Sequence, residues 1–385
     1  MRDSFLPFSP PSIGPEEIRE VVDTLSSDWI TTGPKTLRFE SEFAAFVGAP
    51  AAVAVFSATD AMQVALAALG IQPGDEVITT AMTFCSTAHV IEHLGAKPVL
   101  VDVVPDTLCI DPAAVERAVT SRTRCLLPVH LYGHPCDMDP LLDLAAARGL
   151  AVLEDAAHAL PACYKGRMVG TLGTATAFSF YATKNITTGE GGMLTGDAGL
   201  MASARVWSLH GMSRDAYNRY SAEGSWHYDV VLPGFKCNMT DIQASLGLQQ
   251  LKKLSRFQSR RREIVERYRA AFAERPELEI PVARADVESA WHIYALRLNL
   301  ERLAIDRRQF IEEMKARNIG TSVHFIPIHL HRYYRDKYGY SPGDFPVAFS
   351  NYQRLVSLPI HPRLSNQDVD DVVEAVLDIL AKHGR

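Results

Sequence analysis

No two of the six cysteines, Cys85, Cys109, Cys125, Cys136, Cys163 and Cys237, form a Cys-x-x-Cys pair, and their spacing is irregular. That argues against a disulfide framework and for reduced thiols in a cytoplasmic protein. The net charge is −6 and there is no long basic run, which argues against generic nucleic-acid binding through phosphate neutralisation. Polar residues interrupt every long apolar stretch, so no membrane span is expected. The stretch from Met1 to Pro15 is proline-rich without an apolar core, so no signal peptide is expected there. Internal repeats and low-complexity tracts are also missing. What remains is a chain of 385 residues, 47% hydrophobic and 22% charged, long enough for two or three domains.

Strand and helix patterns alternate through the first two thirds. Gly14-Pro15 opens a helix with Ile18, Val21, Val22 and Leu25 on one face. Residues 52–56 read as a buried strand, and Ser57-Ala58-Thr59-Asp60 opens a helix that stops at Gly70. Further strands are expected at 76–79, 99–103, 125–129 and 151–153. This alternation predicts an α/β large domain, residues 1–250, with a mostly parallel sheet flanked by helices. Thr240-Asp241-Ile242-Gln243 is a capping box that starts a long helix. Its run Arg256, Arg260, Arg261 and Arg262 reads as a solvated face. Beyond about Pro276 strand-like segments at 291–298 and 320–326 mix with helices, including a last one from Ser365. This part reads as a smaller C-terminal α+β domain, residues 251–385.

Chemistry concentrates at strand ends. Phe178-Ser179-Phe180-Tyr181-Ala182-Thr183-Lys184-Asn185 alternates like a strand, ends in a lysine and precedes Gly189-Glu190-Gly191-Gly192. A lysine there can be desolvated, which frees its amine as a nucleophile; the plain alternative is a surface charge. Val152-Leu153-Glu154-Asp155 is an apolar strand ending in acid. Asp155 can pair with a cationic ring nitrogen or merely cap a helix, and Glu154 alternates to the other side. His158 follows, as a cofactor contact or a structural histidine. Ser57-Ala58-Thr59 sits where free N–H groups favour phosphate, or simply where the helix is capped. Phe84 can stack on a planar ring or pack in the core. Together, lysine, carboxylate and hydroxyl at strand ends are what pyridoxal 5′-phosphate (PLP) chemistry requires. His89-Val90-Ile91-Glu92-His93 competes as an H-x-x-E-H zinc motif. No third ligand stands near it in sequence, so no metal site is expected.

The ordered set resembles the DegT/DnrJ/EryC1/StrS sugar aminotransferases, PLP enzymes of the aspartate aminotransferase fold (fold type I). Its landmarks are Trp29-Ile30-Thr31-Thr32-Gly33-Pro34, Ser57-Ala58-Thr59, Gly74-Asp75-Glu76, Glu154-Asp155-Ala156-Ala157-His158, Tyr164-Lys165-Gly166, the Phe178 to Asn185 run, Glu190-Gly191-Gly192 and Asn238-Met239-Thr240-Asp241. The resemblance implies that Lys184 is the Schiff-base lysine and Asp155 the pyridinium partner, with His158 near the ring oxygen. It implies phosphate contacts from Ala58, Thr59 and Ser179, and stacking by Phe84. Asn238 would reach the phosphate of a neighbouring subunit's coenzyme, hence a homodimer with shared sites. Trp29, Thr32, His324 and His329 are the expected sugar contacts, and glutamate/2-oxoglutarate the amino donor pair. Phe5-Leu6-Pro7-Phe8-Ser9, Trp29 to Pro34 and Lys184-Asn185-Ile186-Thr187 point to a UDP-4-keto-pentose substrate, giving UDP-4-amino-4-deoxy-L-arabinose for lipid A. Residues 324–329, His-Phe-Ile-Pro-Ile-His, instead look like relatives that aminate N-acetylated 4-keto-6-deoxy sugars.

Overall fold

The computed structural model describes residues 2–213 and 227–385. Seven strands form the central sheet: β1 (Ala51–Val55), β2 (Glu76–Thr80), β3 (Lys97–Val101), β4 (Thr123–Leu127), β5 (Ala151–Asp155), β6 (Ala175–Ser179) and β7 (Gly192–Gly196). Their spatial order is β1-β7-β6-β5-β4-β2-β3. Pairing is parallel from β6 through β5, β4 and β2 to β3, and β7 runs antiparallel to β1 and β6. Alternation along the strands explains the two covered faces. In β6, Phe178 joins one core with Phe39 and Phe43, while Ala177 joins another with Met62 and Leu66.

The connecting segments are helical: α1 (Pro15–Leu25), α2 (Pro34–Val47), α3 (Ala58–Ala68), α4 (Ser86–His93), α5 (Pro112–Ala118), α6 (Met138–Arg148) and α7 (Ala198–Ser208). The five strands expected in the large domain are present with their ends shifted by at most two residues, as at β3 and β4, which begin at Lys97 and Thr123. The long helix α8 (Asp241–Phe272) starts at the expected capping box: Thr240 Oγ1 accepts the Gln243 N–H at 3.3 Å, and Gln243 Oε1 accepts the Thr240 N–H at 3.0 Å. Residue 250 lies inside this helix. Its first half packs with α2 residues and its second half (Ile264, Val265, Tyr268, Phe272) belongs to the C-terminal core. That core also holds the antiparallel strands β8 (Leu278–Glu279), β9 (Tyr294–Leu298) and β10 (Leu355–Leu358), with helices α9 (Arg307–Ala316) and α12 (Asn366–His383). Helices α10 (Arg332–Tyr338) and α11 (Pro346–Arg354) complete the C-terminal third.

Two expectations fail here. Arg261 is not on a solvated face; it is 1% exposed. It shares the helical stripe of Leu254, Phe257, Ile264, Val265 and Tyr268, spaced by three, four and seven residues, so the helix period turns it inward. Residues 320–326 are not a strand, and their ladder contact is the single Ser322–Ser357 bridge. The segment instead turns both His324 and Phe325 toward one cavity, which strict strand alternation forbids.

Candidate active site

A cavity of about 490 Å³ opens at the carboxyl ends of the parallel strands, where α/β sheets gather their ligands. The residues after β1, β2 and β6 supply Thr59, Phe84 and Lys184 to its wall, and the last residue of β5 supplies Asp155. Ala58, His158, Ser179 and His324 line it as well.

Lys184 sits on a turn just beyond β6. Its N–H donates to Tyr181 O at 2.9 Å, and the flanking Asn185 amide donates to Leu160 O (2.7 Å) and Ala290 O (2.9 Å). Burial pulls the ammonium pKa down to about 8, against the opposing pull of Asp155. Asp155 is buried, which raises its pKa. Hydrogen bonds from Ala157 N–H (3.1 Å) and Thr87 Oγ1–H (2.8 Å), with the charge of Lys184, oppose that rise. Glu154 faces away, into a buried pair with His130, whose Nδ1 accepts Cys136 N–H and whose Nε2–H therefore donates to Glu154 at 2.8 Å.

Three histidines line the same wall. His158 Nδ1 accepts the Tyr132 N–H at 3.3 Å, so its proton is on Nε2. Its ring stacks on Phe325 at 5.6 Å and tilts against His292 at 4.5 Å. Burial, with the positive charge of Lys184, holds His158 well below its ordinary value and His324 at about 4, so both rings are neutral near pH 7.

At the start of α3, Ser57 Oγ accepts the Asp60 N–H at 3.0 Å; the N–H groups of Ala58 and Thr59 have no acceptor within the helix. β7 runs hard against this turn. A Cβ on Gly192 would stand 2.4 Å from the Ser57 carbonyl, so only glycine leaves the helix start open.

Other expected contacts lie elsewhere. The Asn238 amide donates to Thr32 Oγ1 at 2.5 Å, and the Trp29 indole donates to Thr32 O at 2.7 Å. These three form their own surface cluster and do not line the cavity. His329 is a correction: it is fully buried and packs on Phe345 at 4.8 Å, so it is a core ring and contacts no sugar in this cavity. His89 stacks on Tyr334 at 5.7 Å, and among the described residues no group of three His, Cys, Asp or Glu is placed to hold a metal. Sequence reasoning missed His292, Thr87 and Glu190. His292 stands just ahead of a strand in the C-terminal third, far from Lys184 in sequence, and nothing local marks it.

This α/β sheet with a lysine and a buried acid at its carboxyl edge is that of a PLP-dependent aminotransferase. The DegT/DnrJ/EryC1/StrS aminotransferase family model matches residues 11–377, and the chain belongs to that family. It is 55% identical over 381 residues to the spore coat polysaccharide biosynthesis protein SpsC of Bacillus subtilis, covering 98% of each chain. Spr1654 of Streptococcus pneumoniae, assigned as a sugar aminotransferase, superposes in its PMP form with TM-score 0.92 at 38% identity, over 98% of this chain and 99% of that one. PseC of Helicobacter pylori, an aminotransferase involved in pseudaminic acid biosynthesis, superposes with TM-score 0.92 at 27% identity, over 99% and 100%. The protein is a sugar aminotransferase, and PLP is its coenzyme.

The residues fit that coenzyme. The cavity offers one amine, one buried carboxylate, a helix start with unused N–H groups, and the exposed ring of Phe84 tilted against Phe325 at 5.7 Å.

Proposed function

We propose that the protein moves an amino group from glutamate to C4 of a nucleotide-linked 4-keto sugar. The observation that carries this reading is the placement of Lys184 and Asp155 on one cavity wall, with the amine pKa near 8. At pH 7.5 about a quarter of such amines are neutral, against about 0.1% for an unperturbed lysine. When bound, PLP takes up the electrons released at the donor's Cα and carries the amino group to the acceptor. Lys184 Nζ binds the coenzyme covalently and, once released, holds and moves the proton at Cα. Asp155 holds a positive charge on the ring nitrogen. His158 donates from Nε2 to the ring oxygen. Ala58 and Thr59 N–H groups, with the Ser179 hydroxyl, hold the phosphate, and Phe84 covers one ring face.

For the acceptor, a UDP-4-keto-pentose is the first reading. The N-acetylated 4-keto-6-deoxy sugar is the second, and the position of His324 and Phe325 on the cavity wall favours it. The SpsC similarity supports surface polysaccharide as the destination rather than lipid A. The test is a panel of UDP- and dTDP-linked 4-keto sugars with PLP and glutamate. One of them is expected to gain an amine with matching release of 2-oxoglutarate. No product from any 4-keto sugar contradicts the proposal.

The active form is proposed to be a cytoplasmic homodimer. Asn238 lies off the cavity, and α1 exposes Ile18, Val22 and Leu25, with no covering element among the described residues. If Asn238 serves the partner's site, each site needs Lys184 from one subunit and Asn238 from the other. Co-refolding Lys184→Ala with Asn238→Ala is then expected to restore about a quarter of wild-type activity, since half the dimers are mixed and carry one intact site. A mixture no more active than Asn238→Ala alone contradicts shared sites.

A further inference from the structure

Just ahead of β9 the backbone takes a costly path. Trp291 sits at φ +46°, in the left-handed region that a bulky residue rarely adopts. Its N–H donates to Ser289 Oγ at 3.1 Å, and the next N–H, of His292, donates to Tyr132 O at 3.0 Å. From the other side the buried Arg261 donates through Nη1 to the carbonyls of Ile360 (2.7 Å), Trp291 (3.2 Å) and His292 (3.4 Å). Among the described residues these partners are all carbonyls, so a buried cation is being spent on backbone. Strain and burial together fix one side chain, that of His292.

The His292 ring has a defined tautomer. Both hydrogens of the Asn185 amide are used on Leu160 O and Ala290 O, so Asn185 Oδ1 faces His292 Nδ1 as an acceptor, at 3.0 Å. His292 Nδ1 therefore carries the proton. The same ring lies 4.5 Å from that of His158, tilted by 41°, and lines the cavity. Asn185 directly follows Lys184. The charged and titratable groups around His292 are His158, Lys184, Arg261 and His324; burial and these neighbours keep it neutral near pH 7.

We propose that His292 is a positioning residue for both coenzyme-facing groups, holding Lys184 through Asn185 and His158 by direct ring contact. The inference rests on the functional reading given above for Lys184 and His158. Because the clamp belongs to the C-terminal third of the chain, it ties the docking of that part to the geometry of the amine.

The test uses two substitutions. In His292→Asn the side-chain amide nitrogen replaces Nδ1 and keeps the bond to Asn185. In His292→Phe the ring stays and the bond is lost. Competitive acetylation of coenzyme-free protein across pH, read by mass spectrometry, gives the titration midpoint of Lys184 without any catalysis. Wild type is expected near 8. His292→Phe is expected to move toward 10.5 as the turn loosens, and His292→Asn to stay within about half a unit of wild type. In the PLP-loaded enzyme His292→Phe is expected to lower kcat by about 10²-fold with the sugar KM within about threefold, and His292→Asn to recover at least about tenfold of that loss. Should His292→Phe fail to fold, His292→Gln, whose amide stands at Nε2 instead of Nδ1, takes its place with the same expectation. A wild-type midpoint in the variant lacking the bond, or equal losses in both variants, overturns the proposal. Wild-type protein inactive on every keto sugar would instead refute the functional reading, and the acetylation midpoints would still decide the role of His292.

Discussion

Lys184→Ala is expected to lower kcat by about 10⁴-fold or more while the fold survives. The size of the effect follows from the number of tasks that converge on one atom. Nζ is the single amine on the cavity wall among the described residues, and the proposed mechanism asks it to serve both as the covalent anchor and as the proton carrier. No neighbour can substitute: His158 and His324 are neutral rings held by burial, and His324 Nδ1 is committed to Ser357 Oγ at 2.8 Å. Stability should move the other way. The folded state disfavours the charged lysine, with a pKa near 8 against 10.5, so the cost is fully present below pH 8 and fades as pH rises through 8 to 10.5. Coenzyme-free Lys184→Ala should therefore be at least as stable as wild type at pH 7, with its advantage shrinking toward pH 10.5. Thermal melts at the two pH values check this. Activity within tenfold of wild type would contradict the role assigned to the amine.

Asp155→Asn is expected to lower kcat by about 10³-fold. A carboxylate buried with two hydrogen-bond donors is a fixed negative charge, and Asn supplies shape without charge. The ring nitrogen then loses its partner, and the coenzyme becomes a poorer electron sink. Here too the sign of the stability effect separates function from structure. Burial raises the Asp155 pKa above 3.8, so ionising it costs stability at neutral pH, and that cost disappears as pH falls through the folded pKa toward 3.8. Coenzyme-free Asp155→Asn should melt no lower than wild type at pH 7 even though turnover collapses. An unchanged kcat would remove the ion pair from the mechanism.

The strand ends carried most of what the sequence could show. β5 is an apolar run that ends in Asp155 where it meets the cavity, and the Lys184 run has the same form. Those patterns are local, so composition and period reveal them. Arg261 was misread because its charge was weighed by residue type rather than by position, and His329 because the resemblance carried the whole 324–329 segment into the sugar pocket. The spacing of Arg261 from Leu254, Phe257 and Ile264 put it on the buried stripe, and His329 lies between Ile328 and Leu330 against Phe345. Residues 320–326 are strand-like in residue type, but the cavity claims two adjacent side chains and breaks the ladder. His292 was invisible for another reason. Its partners are Asn185, Tyr132 and Arg261, each distant in sequence, and its irregular backbone carries no period.

The most direct measurement is borohydride reduction of the purified PLP-loaded protein, followed by peptide mass spectrometry. The expected result is a pyridoxyl phosphate group fixed on the peptide that carries Lys184, and its loss when glutamate is added before reduction. An adduct on a different lysine, or none at all from active protein, would contradict the account.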